Sequence, residues 1–115
     1  YGEVLTEHVG DKKLTVYGED GPTDEYIHNR DVSWLKETDV VIVEVSTPSL
    51  GVGYEIAKAE EWRKKVLCLY KESEGKRLSA MIAGSEKLEI KRYESLEDLK
   101  SVFGEFFGKL KRERE

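Results

Sequence analysis

The stretch DVVIVEVSTPSLGVGYEIAKA occupies residues 39–59 and decides the fold. Its first part, Val40 to Val45, is a nearly continuous β-branched run, typical of a parallel strand that is covered on both faces. Its last part predicts a helix that extends to about Lys65, and a turn from Ser46 to Gly53 joins the two. In an open α/β sheet this junction lies at the carboxyl end of a strand, where ligands usually bind. We therefore expect a site here, with Glu55 in the first turn of the helix.

The remaining hydrophobic patterns alternate between strand and helix along the chain. Helical patterns follow two N-cap candidates, Thr23 and Ser95, and Ser95 forms a capping-box pattern with Asp98. A short helix or turn is predicted at residues 78–82, and strand-like runs occur at residues 3–9, 66–70 and 88–93. This order favours an α/β fold, a three-layer, flavodoxin-like doubly wound parallel sheet.

Size and charge restrict the classes of function. The 115 residues are typical of one domain, and 19 Lys and Arg against 24 Asp and Glu give a net charge of -5. An acidic balance disfavours nonspecific binding to nucleic-acid polymers or membranes, but helix N-termini bind small anions without a basic protein. No segment approaches the roughly 20 apolar residues of a membrane span. We therefore expect a cytoplasmic protein, or a nuclear one in a eukaryote.

The lone cysteine, Cys68, lies in the apolar run VLCLY at residues 66–70. A free cysteine inside such a run behaves as a small hydrophobic residue. We therefore predict a buried structural thiol and not a catalytic one.

Two carboxylates fall on the apolar faces of predicted helices. Asp31 lies four residues after Ile27 on its helix, and Glu55 lies three residues after Val52 on the next. A buried carboxylate must be hydrogen-bonded, paired or open to a pocket, because its desolvation is costly. Each residue also has an interpretation without a site. Asp31 could reach water at the edge of the apolar face, and Glu55 could only complement the helix dipole. If both helices flank the sheet, the two carboxylates share one edge and predict a two-carboxylate site.

Residues 44–55 read EVSTPSLGVGYE and closely resemble the signature of the 2'-deoxynucleoside 5'-phosphate N-hydrolases, relatives of the nucleoside 2-deoxyribosyltransferases. Four further segments resemble the same family in the same order: LTEHV at 5–9, DVSWL at 31–35, LCL at 67–69 and LSAMI at 78–82. The resemblance extends over residues 1–82. It implies hydrolysis of the N-glycosidic bond of 2'-deoxynucleoside 5'-monophosphates, with no cofactor and no metal.

The resemblance also implies roles for individual residues. Glu55 resembles the nucleophile that attacks the anomeric carbon, and Asp31 the second carboxylate, which orients or protonates the reacting groups. The 5'-phosphate cradle is implied at Ser49 and Gly51. His8 resembles a residue that contacts the substrate. Ser79 and Met81 resemble residues that complete the neighbouring subunit's site in a homodimer. For His8 the alternative is a histidine at a strand end with no special role.

One part of the family pattern has no counterpart in these 115 residues. The family opens with a strand that ends in a loop rich in Gly and Ser, and this loop carries a Tyr and an Arg of the active site. We therefore expect a sheet that lacks its first strand and a phosphate cradle that is incomplete.

Two other functions stay open at this point. The first is deoxyribosyl transfer between bases, by a nucleoside 2-deoxyribosyltransferase. The second is a non-catalytic nucleotide-binding or receiver-like domain, since the fold alone hosts many functions. A receiver domain requires an Asp at the end of a strand, whereas the central strand here ends in Glu44 and Ser46.

Overall fold

A computed structural model describes residues 23–73 and 75–114. The strand predicted at residues 3–9, which includes His8, lies outside the described residues. The elements follow in the order α1 (Asp24–Glu37), β1 (Val40–Glu44), α2 (Leu50–Glu61), β2 (Lys65–Lys71), α3 (Ala80–Ala83), β3 (Glu89–Tyr93) and α4 (Leu96–Arg114).

The strands form a parallel sheet in the order β1-β2-β3. Val40 lies opposite Lys65, and Leu67 lies opposite Glu89. The middle strand, β2, is buried from Val66 to Tyr70, as its apolar run predicts. The predicted parallel α/β sheet is confirmed.

One face of the sheet is covered by α1 and α2. Val41 and Val43 of β1 pack with Leu35 of α1 and with Ile56 and Ala59 of α2. All of these side chains are almost completely buried, which explains why β1 is rich in β-branched residues. The apolar stripes predicted on both helices therefore form the core of this layer.

The other face is covered by α4. Phe106 is buried against Leu67 and Leu69 of β2, and Phe103 and Phe107 pack beside it. These three rings of α4 therefore cover the chain's own sheet. Helices on both faces confirm the three-layer architecture.

Polar side chains cap all four helices of the described residues. The Thr23 hydroxyl accepts from the backbone N–H of Tyr26 at 3.1 Å, as predicted. The capping box of α4 is also confirmed, because Ser95 and Asp98 each accept from the other's backbone N–H at 3.2 Å. The turn predicted from Ser46 to Gly53 was too long, since α2 is capped by Ser49 and begins at Leu50.

The end of α2 also differs from the prediction, which extended the helix to about Lys65. The helix ends at Glu61, and Arg63 adopts a left-handed backbone with φ of 59°. The N–H of Lys64 donates to the Ala59 carbonyl at 2.9 Å and that of Arg63 to the Glu60 carbonyl at 3.1 Å. This is a Schellman motif with arginine at the position that usually holds glycine, so the sequence carries no visible stop signal.

Candidate active site

A cleft of about 280 Å³ lies between α1 and α2. Both candidate carboxylates, Asp31 of α1 and Glu55 of α2, line this cleft, together with Gly51. We call it the carboxylate cleft. The two residues are 24 positions apart in the chain, and the packing of α1 against α2 brings them to one surface.

Glu55 is buried, with only 9% of the residue exposed. Its predicted position was wrong in one respect: α2 begins at Leu50, so Glu55 is the sixth helical residue and lies in the second turn. The helix has no acidic residue in its first turn. A role limited to complementing the helix dipole therefore does not explain this residue, since that interaction fades beyond the first turn.

Asp31 is paired within its own helix. Its Oδ1 accepts from Arg30 Nε at 3.1 Å, and its side chain is 16% exposed. The Arg30 guanidinium lies over the Trp34 ring, 4.9 Å from the ring centroid, which fixes the arginine beside the carboxylate. Asp31 therefore faces a cleft with a cation at its side and is not a fully solvated edge residue.

A histidine and a tyrosine line the same cleft. His28 Nε2 and the Tyr54 hydroxyl are 3.1 Å apart and hydrogen-bonded, and the two rings meet edge to face. His28 is exposed, and this bond links α1 to α2. Lys58, which lies over the Tyr54 ring, adds a positive charge to the lining.

A second cleft, of about 550 Å³, lies on the other side of α2. It is lined by Ser49, Ser79 and Met81, three of the residues that the family resemblance implied, and we call it the serine cleft. Ser49 Oγ accepts from the Val52 N–H and Ser79 Oγ from the Met81 N–H, each at 3.2 Å. A serine hydroxyl that accepts one bond retains its own proton for donation. Both hydroxyls can therefore donate to an anion.

Apolar side chains on the serine cleft are open to solvent. Leu50 is 97% exposed and Met81 is 84% exposed. Gly51 lies close by, since a Cβ built on it would be 3.9 Å from Ser49 Oγ. The start of α2 thus separates the two clefts, with the carboxylates on one side and the serines on the other.

Sequence reasoning missed two charged residues beside these clefts. Arg30 pairs with Asp31 and lies over the Trp34 ring, and its position four residues before Trp34 was the available signal. Glu60 lines the serine cleft and accepts from Ser85 Oγ at 2.8 Å. No local pattern predicts that contact, since the residues are 25 positions apart.

Cys68 is completely buried in the core, as predicted. Burial, with a smaller effect of the Glu60 carboxylate, raises the pKa of this thiol to about 11. The thiolate is the nucleophilic form of cysteine. Cys68 is therefore a structural residue at neutral pH.

Within residues 23–73 and 75–114, no three His, Cys, Asp or Glu side chains are arranged to hold a metal ion. None of the helices in these ranges is long and apolar enough to cross a membrane.

Curated relatives cover nearly the whole chain. A 5-hydroxymethyl-dUMP N-hydrolase of Esox lucius is 45% identical over 118 residues, which cover 98% of this chain and 81% of that protein. A Nematostella vectensis protein, provisionally named 2'-deoxynucleoside 5'-phosphate N-hydrolase 1, is 52% identical over 96% of this chain and 77% of its own length. A 5-hydroxymethyl-dUMP N-hydrolase of Danio rerio is 43% identical over 96% of this chain and 78% of that protein. No protein-family model matches. At these identities and coverages, the chain belongs to the 2'-deoxynucleoside 5'-phosphate N-hydrolase family.

Proposed function

We propose that this protein hydrolyses the N-glycosidic bond of 2'-deoxynucleoside 5'-monophosphates and releases the free base and 2-deoxyribose 5-phosphate. The observation that carries this proposal is the shared cleft of Asp31 and Glu55. The names of the relatives, which are N-hydrolases, support it. Since two of these names specify 5-hydroxymethyl-dUMP, this nucleotide is the first substrate to test.

The reaction proceeds in two steps at Glu55. A Glu55 carboxylate oxygen bonds to C1' of the sugar while the C1'–N bond breaks, and the electron pair leaves with the base, which takes up a proton. Water then attacks C1' of the ester, loses a proton and restores the carboxylate. Positive charge develops on the sugar in each step, and a carboxylate next to the ring stabilises it. The missing 2'-hydroxyl favours this charge, because an electron-withdrawing group at that carbon would oppose it.

Asp31 acts on the same groups from α1. It orients the reacting groups or supplies the proton to the departing base. The Arg30 contact at 3.1 Å keeps the carboxylate in one place. A fixed second carboxylate is useful because misplacement of a catalytic group by about 1 Å is costly to the rate.

The 5'-phosphate is bound by Ser49 and the backbone at Gly51. The hydroxyl of Ser49 and the N-terminal end of α2 provide donors at the point where the two clefts meet. A phosphate needs such donors more than it needs a basic protein, so the net charge of -5 is no obstacle. His8 is proposed to contact the substrate from outside the described residues.

A homodimer completes the site, with Ser79 and Met81 of each subunit reaching the neighbouring one. The exposure of Leu50 and Met81 on the serine cleft supports this arrangement, because contiguous exposed apolar side chains are typical of interfaces. A cytoplasmic location belongs to the same proposal.

The test is an incubation of the full chain with 5-hydroxymethyl-dUMP, dUMP and dGMP, in which free base and sugar phosphate are quantified by chromatography. We expect equal amounts of both products from at least one nucleotide. A parallel incubation with added adenine distinguishes transfer, which would form a new adenine nucleotide with little hydrolysis. Binding of all three nucleotides without turnover would favour the non-catalytic alternative and overturn the proposal.

A further inference from the structure

A hydrogen-bond network crosses all three strands at the carboxyl edge of the sheet. The Tyr93 hydroxyl donates to Glu44 Oε2, and the other carboxylate oxygen, Oε1, accepts from the backbone N–H of Ser46 at 2.5 Å. The Ser46 hydroxyl oxygen in turn accepts from the backbone N–H of Lys71 at 2.7 Å. The network therefore connects the last residues of β1, β2 and β3 through two side chains and one turn residue.

The contact between Tyr93 and Glu44 is long-range. The residues are 49 positions apart, at the ends of the two outer strands of the described sheet, so their bond spans β2. Glu44 uses both oxygens at once, because each accepts a different donor. A carboxylate held at both oxygens has little rotational freedom, so Tyr93 limits where Ser46 N–H can lie.

Ser46 begins the turn that leads to α2, and Ser49 ends it as the N-cap of that helix. Both residues line the serine cleft. Pro48, between them, has no backbone N–H to donate. The position of the turn therefore depends on its two ends, and the network fixes the end at Ser46.

We propose that Tyr93 is a positioning residue which, through Glu44 and Ser46, holds the turn at residues 46–49 so that the Ser49 hydroxyl meets the 5'-phosphate. This role rests on the proposed function, because it takes Ser49 as a phosphate ligand. It adds a residue from β3, outside the two helices that carry the carboxylates. Tyr93 itself does not touch the substrate.

The protonation state of Tyr93 fits this role. Its hydrogen bond to the Glu44 carboxylate is the main cause that raises the pKa of Tyr93, with burial a further cause. The hydroxyl therefore stays a donor at neutral pH and above. Glu44 accepts this bond through one carboxylate oxygen, Oε2.

The test compares Tyr93→Phe with Tyr70→Phe. Tyr70 lies on the neighbouring strand, and its buried hydroxyl has no hydrogen-bond partner among residues 23–73 and 75–114. Both variants thus lose one hydroxyl, but only Tyr93→Phe loses a bond. Calorimetry gives the Kd for dUMP and for deoxyuridine, which lacks the phosphate, and a steady-state assay gives kcat and KM.

We expect Tyr93→Phe to raise KM and Kd for dUMP about tenfold, with kcat within about twofold of the unmodified chain. The Kd for deoxyuridine should not change, and Tyr70→Phe should match the unmodified chain with both ligands. Glu44→Ala should reproduce the effect of Tyr93→Phe. Glu44→Gln keeps one oxygen that can accept from the Ser46 N–H and gains an NH2 group that can donate to the Tyr93 oxygen, so it should restore most of the affinity. If Tyr93→Phe does not fold, the comparison of Glu44→Ala with Glu44→Gln tests the same network.

The role is overturned if Tyr93→Phe equals Tyr70→Phe, or if it weakens dUMP and deoxyuridine equally, as a purely structural loss would do. A third outcome is that the unmodified chain binds dUMP but releases no base, and that Tyr93→Phe weakens this binding. That result would support the positioning role and contradict the proposed hydrolysis. Unmodified chain that binds neither ligand would contradict both.

Discussion

The two carboxylates show how residue spacing determines chemistry. Asp31 and Glu55 each replace an apolar residue on the inner face of a helix, and this spacing was visible in the sequence. Their common cleft follows once α1 and α2 pack on the same face of the sheet. The partner of Asp31 was not predicted, because an ion pair between neighbours in sequence depends on rotamers, which spacing does not specify.

Cys68 provides a prediction about pH at the scale of one residue. Its pKa is raised from 9.0 to about 11, so between these values only the unfolded chain loses the thiol proton. The stability that the buried thiol contributes is therefore fully present below pH 9.0 and is lost as the pH rises to about 11. Urea unfolding of the unmodified chain and of Cys68→Ala, from pH 8 to pH 11, measures the difference.

The difference in unfolding free energy between the two chains should shrink across that window. In addition, native protein at pH 8 should not react with a thiol reagent until urea unfolds it. Rapid labelling of the folded chain would contradict the buried, protonated thiol.

The element with the largest effect on the site is α2, and here sequence reasoning was only partly successful. The strand, the helix and its inward face were predicted, but Gly51 and Gly53 were assigned to a turn because glycine usually disfavours helices. The Ser49 cap outweighs that preference and starts the helix at Leu50. The last turn was also missed, because Arg63 gives no glycine signal for its left-handed backbone.

Replacement of Ser49 by alanine should have two separate effects. Loss of the cap should lower the free energy of unfolding by about 1 kcal/mol. Loss of the hydroxyl should raise KM for a deoxynucleoside monophosphate about tenfold. Ser95→Ala is the matched control, because Ser95 caps α4 in the same way and lies outside both clefts. It should lower stability similarly and leave KM unchanged; equal KM values for the two variants would contradict the phosphate role.

Arg63→Gly should stabilise the protein. An L-residue in the left-handed region costs about 1 to 2 kcal/mol, and glycine avoids this strain but loses more entropy on folding. We expect a net gain of about 0.5 to 1 kcal/mol in the free energy of unfolding. Thermal and urea unfolding measure it. Arg63→Ala keeps the Cβ and should give no gain, so an equal gain from alanine would exclude backbone strain as the cause.

At the scale of the whole molecule, the parallel sheet and its two helical layers follow from hydrophobic patterns, because strand and helix have different periods. Contacts that depend on strand order do not follow from such patterns. The bond between Tyr93 and Glu44 is an example, since it forms only when β1 and β3 flank β2. The same holds for Glu60 and Ser85, which meet through the packing of α2 beside the segment after α3.

The proposed dimer predicts a difference between two exposed apolar residues. Met81 lines the serine cleft, and Leu96 begins α4 outside that cleft. Leu96 is 75% exposed, so both side chains are open to solvent. Met81→Glu should convert a dimer to a monomer and reduce activity, because a buried charge opposes association. Leu96→Glu should remain a dimer with unchanged activity. Sedimentation velocity measures both, and an unmodified chain that is monomeric at assay concentrations would contradict the shared site.

The most direct measurement is the turnover rate of Glu55→Gln compared with that of Glu61→Gln on the same helix. Glu61 is exposed and is not among the residues that line the carboxylate cleft, although its partner Lys58 is. Its replacement therefore makes the same chemical change without altering either carboxylate of the cleft. With Glu55 as the nucleophile, Glu55→Gln should release base from a deoxynucleoside monophosphate at least about a thousandfold more slowly. Glu61→Gln should retain the rate of the unmodified chain. Release of base by Glu55→Gln at the rate of Glu61→Gln would contradict the assignment of the reaction to this cleft.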